Sequence, residues 1–266
     1  MISIFTPTFN RAYILSSLYN SLINQTDSDF EWIIVDDGST DNTEQLVNSW
    51  ILENKLKEIN YIKTPNQGKT TAINIGLQHA KGELFFIVDS DDYITDNAIE
   101  EIKRKDQSLN KDLDFKVCGI CFKRRHYNTN KDFTSYDGNL PAFASALELA
   151  YKYKQTGDKA EVYYTDVLKK YPFPVLENNK FIPESHIWFK MAHDGYKLAL
   201  SDKAIYMCEY MEDGYTKNLT KLIKNNYRGF ALYHKSRLKY SEVPLKVKVK
   251  SLIRLLQCKI YGVFYK

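Results

Sequence analysis

The chain has 266 residues, of which 44% are hydrophobic and 26% are charged, and its formal net charge is +4. These totals are typical of a globular protein with one large domain or two small ones, and so small a net charge gives no indication of nucleic-acid binding. No apolar run approaches the ~20 residues that span a bilayer, and a strand-like segment stands where a signal sequence would begin. We therefore expect a cytoplasmic protein.

The first 105 residues alternate between strand-like and helix-like segments. In chain order, the predicted elements are a strand at 2–6, a helix at 14–23, a strand at 30–35, a helix at 43–54, a strand at 59–63, a helix at 69–80 and a strand at 84–88. Because strands that alternate with helices pair in parallel, this order predicts an α/β fold with a Rossmann-like, mostly parallel central sheet and flanking helices.

Beyond residue 122 the pattern is looser. We expect helices near 143–154 and 185–193 and two short strands near 196–200 and 204–210. Cys118 and Cys121 form a CxxC pair inside a β-like run, but no second pair is present, so a zinc site is not predicted. On a regular strand the two thiols would face opposite sides, which favours a role as small core residues.

Four polar segments follow the predicted strands or begin the helix after them. They are Thr6-Pro7, Asp36-Asp37, Gln67-Gly68-Lys69 and Asp89-Ser90-Asp91-Asp92. Ligands of parallel α/β sheets bind beyond the carboxyl ends of the strands. We therefore expect these segments to line a single crevice.

The last of these segments holds three carboxylates within four residues, directly after the apolar run 84–88. Carboxylates this close repel one another and raise the pKa of at least one member unless a cation neutralises them. Oxygen ligands suit Mg²⁺ or Mn²⁺, which keep coordination positions for water and substrate phosphates. The segment predicts a metal that bridges a diphosphate, whereas the structural alternative is that Asp91 or Asp92 caps a turn.

Taken together, the four segments resemble the motifs of family 2 glycosyltransferases with the GT-A fold. The residues that carry the resemblance are Thr6 to Arg11, Val35 to Asp41, Asn66-Gln67-Gly68 with Ala72, Asn74 and Gly76, and Val88 to Asp92. They occur in the order and spacing of the family over about the first hundred residues. The resemblance implies an enzyme that transfers a sugar from a nucleotide-diphosphate donor.

The resemblance also implies roles for individual residues on the donor side. Pro7 and Phe9, with Thr6 beside them, would border the nucleotide base, and Asp37 would accept a hydrogen bond from it. A carboxylate suits the imide N–H of uracil.

The remaining donor residues would surround the ribose and the diphosphate. Gly68 and Lys69 would approach the base or ribose, Asp89 with Ser90 would bind the ribose hydroxyls, and Asp91 would bind Mn²⁺ or Mg²⁺. A solvated lysine at a helix start is the alternative for Lys69.

The second half of the chain matches the family less closely. Inverting members place a carboxylate base just before a helix, often in an acidic pair, and Glu184 occupies that position with Ser185 in place of the second acid. The alternative is that Glu184 only favours the helix N-terminus. Four further residues are candidates for the site: Asp158, Glu161, Lys217 and His234.

The resemblance implies an inverting hexosyl- or N-acetylhexosaminyltransferase that uses a UDP-sugar and builds a cell-surface glycan. We divide the chain into a nucleotide-sugar-binding half at 1–122, an acceptor-binding and catalytic-base half of the same domain at 123–213, and a basic helical extension at 214–266. In the extension, basic and apolar residues interleave from Pro244 to Lys266, as they do in helices that lie at an anionic membrane surface. We expect this surface to be the inner face of the plasma membrane. Packing on the domain, or on another copy in a homo-oligomer, is the alternative.

Other interpretations of these residues fit less well. Gly68-Lys69-Thr70 lies between a strand and a helix like the end of a P-loop, but Lys63 stands where that motif needs a glycine. Residues 89–100 have acids at the first, third and twelfth positions, as an EF-hand calcium loop does. However, Tyr93 stands where that loop needs an oxygen ligand, and Ile94 stands where it needs a glycine.

Two functional alternatives remain open. A sugar-nucleotide pyrophosphorylase would share the nucleotide fold, although its glycine-rich loop is absent from 6–11. A catalytically silent nucleotide-sugar-binding subunit would bind a nucleotide without turnover.

Overall fold

The computed structural model describes residues 1–110, 112–129, 131–132, 140–155, 157–208 and 219–264. The strands are β1 (Ile2–Thr8), β2 (Phe30–Asp36), β3 (Ile59–Lys63), β4 (Leu84–Ile87), β5 (Tyr93–Ile94), β6 (Lys116–His126), β7 (Phe143–Ala144), β8 (Lys159–Tyr164) and β9 (Tyr196–Cys208). The helices are α1 (Ser16–Ile23), α2 (Thr43–Glu53), α3 (Lys69–His79), α4 (Ala98–Gln107), α5 (Thr165–Leu168), α6 (Ser185–His193), α7 (Leu219–Asn225), α8 (Tyr227–Arg237) and α9 (Leu245–Phe264). No helix in these ranges combines the length and the hydropathy of a membrane span.

The described strands form one mixed sheet in the order β3-β2-β1-β4-β8-β6-β9-β5, with β7 paired to β9. The first four strands of this order are parallel neighbours. β8 runs antiparallel between β4 and β6, and β9 pairs with β6 in parallel. The α/β class and the parallel, Rossmann-like first half predicted from the sequence are confirmed.

Helices cover both faces of the parallel half because its strands are apolar on both sides. All seven residues of β2 are buried, and on one face Trp32 stacks with Tyr19 of α1 and Trp50 of α2, at centroid distances of 6.2 and 5.8 Å. On the other face Phe5 stacks on Phe85 at 5.3 Å, beneath the apolar side of α3. These two cores hold the carboxyl ends of β1, β2 and β4 at one edge of the sheet.

The second half of the sheet departs from the sequence prediction in two places. β9 is one strand, Tyr196–Cys208, where two short strands were expected, because it pairs along nearly the whole of β6 and irregularities in register accommodate its bends. β6 itself continues through residue 122, the predicted end of the nucleotide-sugar-binding half. The division into three regions remains a prediction.

The predicted helix at 143–154 is shorter in the structure: β7 takes its first two residues, and residues 146–152 are helical, with Glu148–Lys152 in a π-helical turn. Ser145 and Glu148 explain where the turn begins. The Ser145 N–H donates to the Glu148 carboxylate at 2.8 Å, and the Glu148 N–H donates to the Ser145 hydroxyl at 3.1 Å. This reciprocal cap ends the strand and starts the turn.

Cys118 and Cys121 are buried free thiols, as a packing role requires, but they face the same core. The expectation of opposite faces is wrong because the pairing of β6 with β9 shifts register between Val117 and Gly119. Gly119 has a φ of +154°, and a Cβ there would lie 2.1 Å from the Val162 carbonyl oxygen. The irregularity adds one residue to the strand and so reverses the alternation of side chains.

Candidate active site

A cavity of about 860 Å³ opens at the carboxyl ends of β1 and β4. Its donor-side wall comes from the loops after β1 and β4 and the start of α3, and its other wall from β6, β8 and the start of α6. Each of the four polar segments contributes to the lining. The contributing residues are Pro7, Asp37, Lys69 and Asp89 to Asp92.

The candidate nucleotide-binding residues at the end of β1 differ in their exposure to the cavity. Pro7 and Phe9 line the cavity, and the Phe9 ring is 44% exposed. Thr6, by contrast, is fully buried, and its hydroxyl accepts a hydrogen bond of 2.9 Å from the Trp32 indole N–H. The Thr6 side chain therefore supports the β1–β2 pair and does not reach the cavity.

Asp37 joins the loop after β2 to the start of α3. Its carboxylate accepts backbone N–H bonds from Gln67 at 2.6 Å and Gly68 at 2.8 Å. Burial raises the pKa of Asp37 despite these two donors. Gly68 has a φ of +93°, and a Cβ there would lie 1.8 Å from the Lys180 carbonyl oxygen. Gly68 is thus the point where the donor side touches the loop that leads to α6.

Lys69 bridges two carboxylates at the centre of the site. Its Nζ lies 2.6 Å from Asp89 Oδ1 and 2.8 Å from Glu184 Oε1. Burial disfavours a charged lysine, but the two carboxylates outweigh it and raise the pKa of Lys69. Burial also opposes ionisation of Asp89, yet the charges of Lys69 and Arg124 hold the pKa of Asp89 below its ordinary value. Lys69 is therefore a fixed cation between the two sides of the cavity.

Asp91 lines the cavity beside this bridge and is half-buried. Burial and the negative charge of Asp89 raise the pKa of Asp91, with Arg11 acting in the opposite direction. A divalent cation would relieve this repulsion, so the donor chemistry of Asp91 fits Mg²⁺ or Mn²⁺. Across the described ranges, no group of three or more His, Cys, Asp or Glu side chains is arranged to hold a metal.

A buried network behind the acidic loop was not predicted from the sequence. The Tyr206 hydroxyl accepts the Asp89 N–H at 2.9 Å and donates to Asp92 Oδ2 at 2.8 Å. The Arg124 guanidinium lies 3.9 Å from the centre of the Tyr206 ring and 3.6 Å from Asp92 Oδ2. Burial and repulsion from Asp89 raise the pKa of Asp92 to about 8, against the attraction of Arg124. The network fastens the acidic loop to β6 and β9.

No local signal revealed this network, because Arg124 lies beyond residue 122, where the pattern loosens and no strand is predicted. Its partner Tyr206 is remote in the chain, and only the parallel pairing of β6 with β9 places the two side by side. Local sequence patterns carry no information about that register.

The wall formed by β8 and α6 holds Glu161 and Trp188. Glu161 lines the cavity, and burial raises its pKa to about 7 in spite of Lys159 and Arg124. The Trp188 ring stacks on Tyr163 at 4.3 Å and also faces the cavity. Asp158 lies on the same wall. Carboxylates beside an aromatic ring can accept hydroxyl donors while the ring packs on an apolar surface.

Helix α8 holds the loop that leads to Glu184. The Lys180 N–H donates to the Asn226 side chain at 2.8 Å, and Phe181 stacks on Phe230 at 5.7 Å. Glu184 itself stands immediately before α6, as the sequence predicts.

Of the two remaining candidates, only His234 lies in the described part of the chain. His234 is a buried residue of α8 that packs against Phe230 and Tyr233 and is absent from the lining. Burial, with the charges of Arg237 and Arg254, lowers the pKa of His234 to about 4. Lys217 lies outside the described residues.

Residues 3–165 match the family model named glycosyl transferase family 2. This match covers more than half of the chain, and the chain therefore belongs to glycosyl transferase family 2.

Curated relatives match over about a hundred residues of this chain. A protein of Haemophilus influenzae strain Rd, described as an uncharacterized glycosyltransferase, is 37% identical over 101 residues, which are 38% of this chain and 40% of that protein. Poly(ribitol-phosphate) beta-N-acetylglucosaminyltransferase TarS of Staphylococcus aureus strain Mu50 is 36% identical over 102 residues, which are 37% of this chain and 18% of TarS. The matched region thus spans less than half the length of each relative.

Two solved structures share the fold. The crystal structure of S. aureus TarS 1–349 in complex with UDP-GlcNAc aligns with a TM-score of 0.68 at 22% identity, over 100% of this chain and 73% of that one. The mannosyltransferase PcManGT from Pyrobaculum calidifontis, in complex with GDP-Man and Mn²⁺, aligns with a TM-score of 0.61 at 17% identity, over 98% of this chain and 69% of that one. The GT-A fold predicted from the sequence is confirmed.

Proposed function

We propose that the protein transfers a sugar from a UDP-sugar to an acceptor hydroxyl and inverts the configuration at the anomeric carbon. The observation that carries this proposal is the Lys69 bridge, which joins Asp89 of the donor side to the base candidate Glu184. A sugar held between these two residues would lie between a diphosphate near Asp91 and an acceptor near Glu184.

The donor side supports nucleotide binding. Phe9 offers an exposed ring to a base, and Asp37 already holds two backbone N–H groups. Each carboxylate oxygen has two lone pairs, so Asp37 can also accept the imide N–H of uracil. We assign the donor as a UDP-sugar, the class that the TarS complex contains.

Asp91 is the residue that would hold Mn²⁺ or Mg²⁺. One protein carboxylate, with water and the phosphate oxygens of the donor, satisfies the oxygen coordination that these ions prefer. When bound, the cation stabilises charge on the departing diphosphate.

Glu184 is the proposed base. It takes the proton of the acceptor hydroxyl while that oxygen attacks the anomeric carbon on the side opposite the nucleotide. The bond from the anomeric carbon to the diphosphate breaks, and its electron pair leaves with the phosphate oxygen. An α-linked donor therefore gives a β-linked product. Lys69 orients Glu184 and balances the charge of Asp89.

We propose a hydroxyl-rich cell-surface glycan as the acceptor. Trp188 would pack against the apolar face of a sugar ring, and Glu161 and Asp158 would accept its hydroxyl groups. The transferred group would be a hexosyl or N-acetylhexosaminyl unit, and the TarS neighbour with UDP-GlcNAc supports the latter.

Calorimetric titration with UDP, GDP and CDP, each with Mn²⁺ and with EDTA, tests the donor side. We expect metal-dependent binding of UDP that Asp91→Ala abolishes. Asp96→Ala, which changes an exposed acid between β5 and α4, should leave binding unchanged. Release of UDP from a UDP-sugar in the presence of glycan acceptors tests transfer.

The outcomes separate the alternatives. Nucleotide binding without turnover on any acceptor would favour a silent subunit. Formation of a UDP-sugar from UTP and a sugar 1-phosphate would favour a pyrophosphorylase. If none of the three nucleotides binds, the donor assignment is wrong.

A further inference from the structure

Helix α9 presents a continuous apolar stripe to solvent. Half of the large apolar side chains that are exposed in the described part of the chain lie on this one helix. They are Leu245, Val249, Leu252, Ile253, Leu256, Ile260, Val263 and Phe264, each 48–77% exposed. Their spacing of one, three or four residues puts them on one helical face. Apolar side chains exposed singly are ordinary, whereas a contiguous patch marks an interaction surface.

The opposite face of α9 packs on the protein and fixes the direction of the stripe. Ser251 and Cys258 are buried, and Cys258 packs in a cluster with Ile223 of α7 and Phe230 of α8. Gly262 lies close enough to the Tyr227 ring that a Cβ there would be 3.0 Å away. The sequence leaves open that this helix packs on the domain. Such packing accounts for one face of α9 and leaves the apolar stripe without a role.

The charges of α9 are arranged around the stripe. The helix has no acidic residue, and its basic residues are Lys246, Lys248, Lys250, Arg254 and Lys259. At 3.6 residues per turn, Lys248 and Lys259 flank one side of the stripe, while Lys246, Lys250 and Arg254 flank the other. Long basic side chains on both flanks can extend along the apolar surface and place their charged ends at its edges.

The surrounding helices add to this positive charge. Residues 219–264 contain one acidic residue, Glu242, against a much larger set of basic ones. Those basic residues are Lys221, Lys224, Arg228, Lys235, Arg237, Lys239, Lys246, Lys248, Lys250, Arg254 and Lys259. A partner for this surface must therefore be apolar at its centre and anionic at its edges.

We propose that α9 docks the protein on a membrane surface that contains anionic lipid. The apolar stripe would enter the boundary between headgroups and acyl chains, and the flanking basic residues would contact lipid phosphates. A second copy of the chain fits this face less well, because pairing two α9 stripes would bring together basic flanks with no acidic residue of α9 between them. The proposal rests on α9 and the basic helices around it, and it does not depend on the donor or the reaction.

Flotation with lipid vesicles tests the proposal on the full chain. One vesicle population contains phosphatidylcholine alone, and the other also contains phosphatidylglycerol. We expect binding to the second population that weakens as salt is added. The stripe variant Leu252→Ser with Leu256→Ser should bind at least about tenfold more weakly. The matched control, Ile51→Ser with Leu52→Ser on α2, also changes two exposed apolar side chains and should bind as the wild type does.

A charge variant, Lys246→Gln with Lys250→Gln, should lose affinity only for the anionic vesicles. Circular dichroism and thermal unfolding of every variant report whether the fold is kept. The proposal is overturned if the wild type binds neither vesicle population. It is also overturned if the stripe variant binds as tightly as the wild type, or if the wild type binds the two vesicle populations equally. A wild-type dimer in sedimentation velocity that the stripe variant converts to a monomer assigns the face to a second copy and likewise overturns it.

Discussion

Lys69, the first residue of α3, forms an ion pair with Glu184, the residue before α6, at a distance of 2.8 Å. The same ammonium group lies 2.6 Å from Asp89. One cation therefore balances two carboxylates that would otherwise repel each other within the cavity. A donor that enters the cavity meets a base candidate whose position is already fixed.

Removal of this cation should damage both stability and catalysis. In Lys69→Met, the paired carboxylates Asp89 and Glu184 lose their counter-charge, so we expect a loss of about 2–3 kcal/mol in the free energy of unfolding. We also expect kcat/KM for transfer to fall at least about tenfold. Urea unfolding and initial rates check these values. Lys63→Met, which removes an exposed ion pair with Glu44, should stay within about 0.5 kcal/mol of the wild type.

The identity of the base can be tested by comparing two carboxylates of the same cavity. Glu184→Gln should keep UDP binding and lower kcat by about 10²–10⁴-fold, since the proton of the acceptor then has no base. Glu161→Gln should act mainly through KM for the acceptor. Rates at varied acceptor concentration separate the two effects. If Glu161→Gln lowers kcat by this factor and Glu184→Gln does not, the base is Glu161.

The Tyr206 hydroxyl should be needed to hold the acidic loop. Tyr206→Phe removes the donor to Asp92 and the acceptor of the Asp89 N–H, and we expect a loss of about 1–3 kcal/mol in stability. Weaker UDP binding in Mn²⁺ should accompany it. Tyr163→Phe is the matched control, because the buried Tyr163 hydroxyl has no hydrogen-bond partner within the described ranges. Equal losses in the two variants would contradict a specific role for Tyr206.

Glu161 should make stability depend on pH. Its pKa is about 7 in the folded protein against an ordinary value of 4.5, so between these values the folded state keeps a proton that the unfolded state has released. The contribution of Glu161 to the free energy of unfolding therefore falls as pH rises through the range from 4.5 to 7, by roughly 3 kcal/mol in total, and becomes constant about one pH unit above 7.

Denaturant unfolding at pH 5 and pH 8 measures this contribution. Stability should decline less between the two pH values in Glu161→Gln than in the wild type. Glu83→Gln, which changes an exposed glutamate, should keep the wild-type decline. A decline in Glu161→Gln as large as in the wild type would show that Glu161 is not the group responsible.

A comparison of Gly68 with Gly195 separates the cost of backbone strain at positive φ from the cost of a steric collision. In Gly68→Ala, the new Cβ would collide with the Lys180 carbonyl and also occupy a backbone with φ of +93°, so we expect a loss of about 3 kcal/mol or more. Gly195 has a similar φ of +90°, yet no atom lies within 4 Å of a Cβ there, so Gly195→Ala should cost only about 1 kcal/mol. Thermal unfolding gives both values, and equal losses would contradict the collision.

The parallel half of the sheet could be predicted because its information is local. Apolar runs and helical spacing give the order of elements, and the topology then brings Pro7, Asp37, Lys69 and Asp89 to one edge. Thr6 shows the limit of this reasoning, because its position in the motif says nothing of the hydrogen bond to Trp32 that draws it into the core.

The second half could not be predicted in the same way because its pairings are remote in the chain. Arg124 meets Tyr206 only through the register of β6 and β9, and the irregularity at Gly119 reverses the faces of the two cysteines. The sequence predicts a basic amphipathic helix near the C-terminus, but only the packing of Cys258 shows which of its faces is left exposed.

The position of β8 has a consequence for attempts to divide or recombine this chain. β8 comes after residue 122 in sequence but lies between β4 and β6, which both begin before that residue. A fragment of residues 1–122 would leave β4 and β6 with unpaired edges, the arrangement that promotes aggregation. The family model ends at residue 165, one residue beyond β8. An exchange of the segments that follow β8 between relatives should therefore keep β8, with Glu161, on the side of the donor-binding strands and place the junction after it.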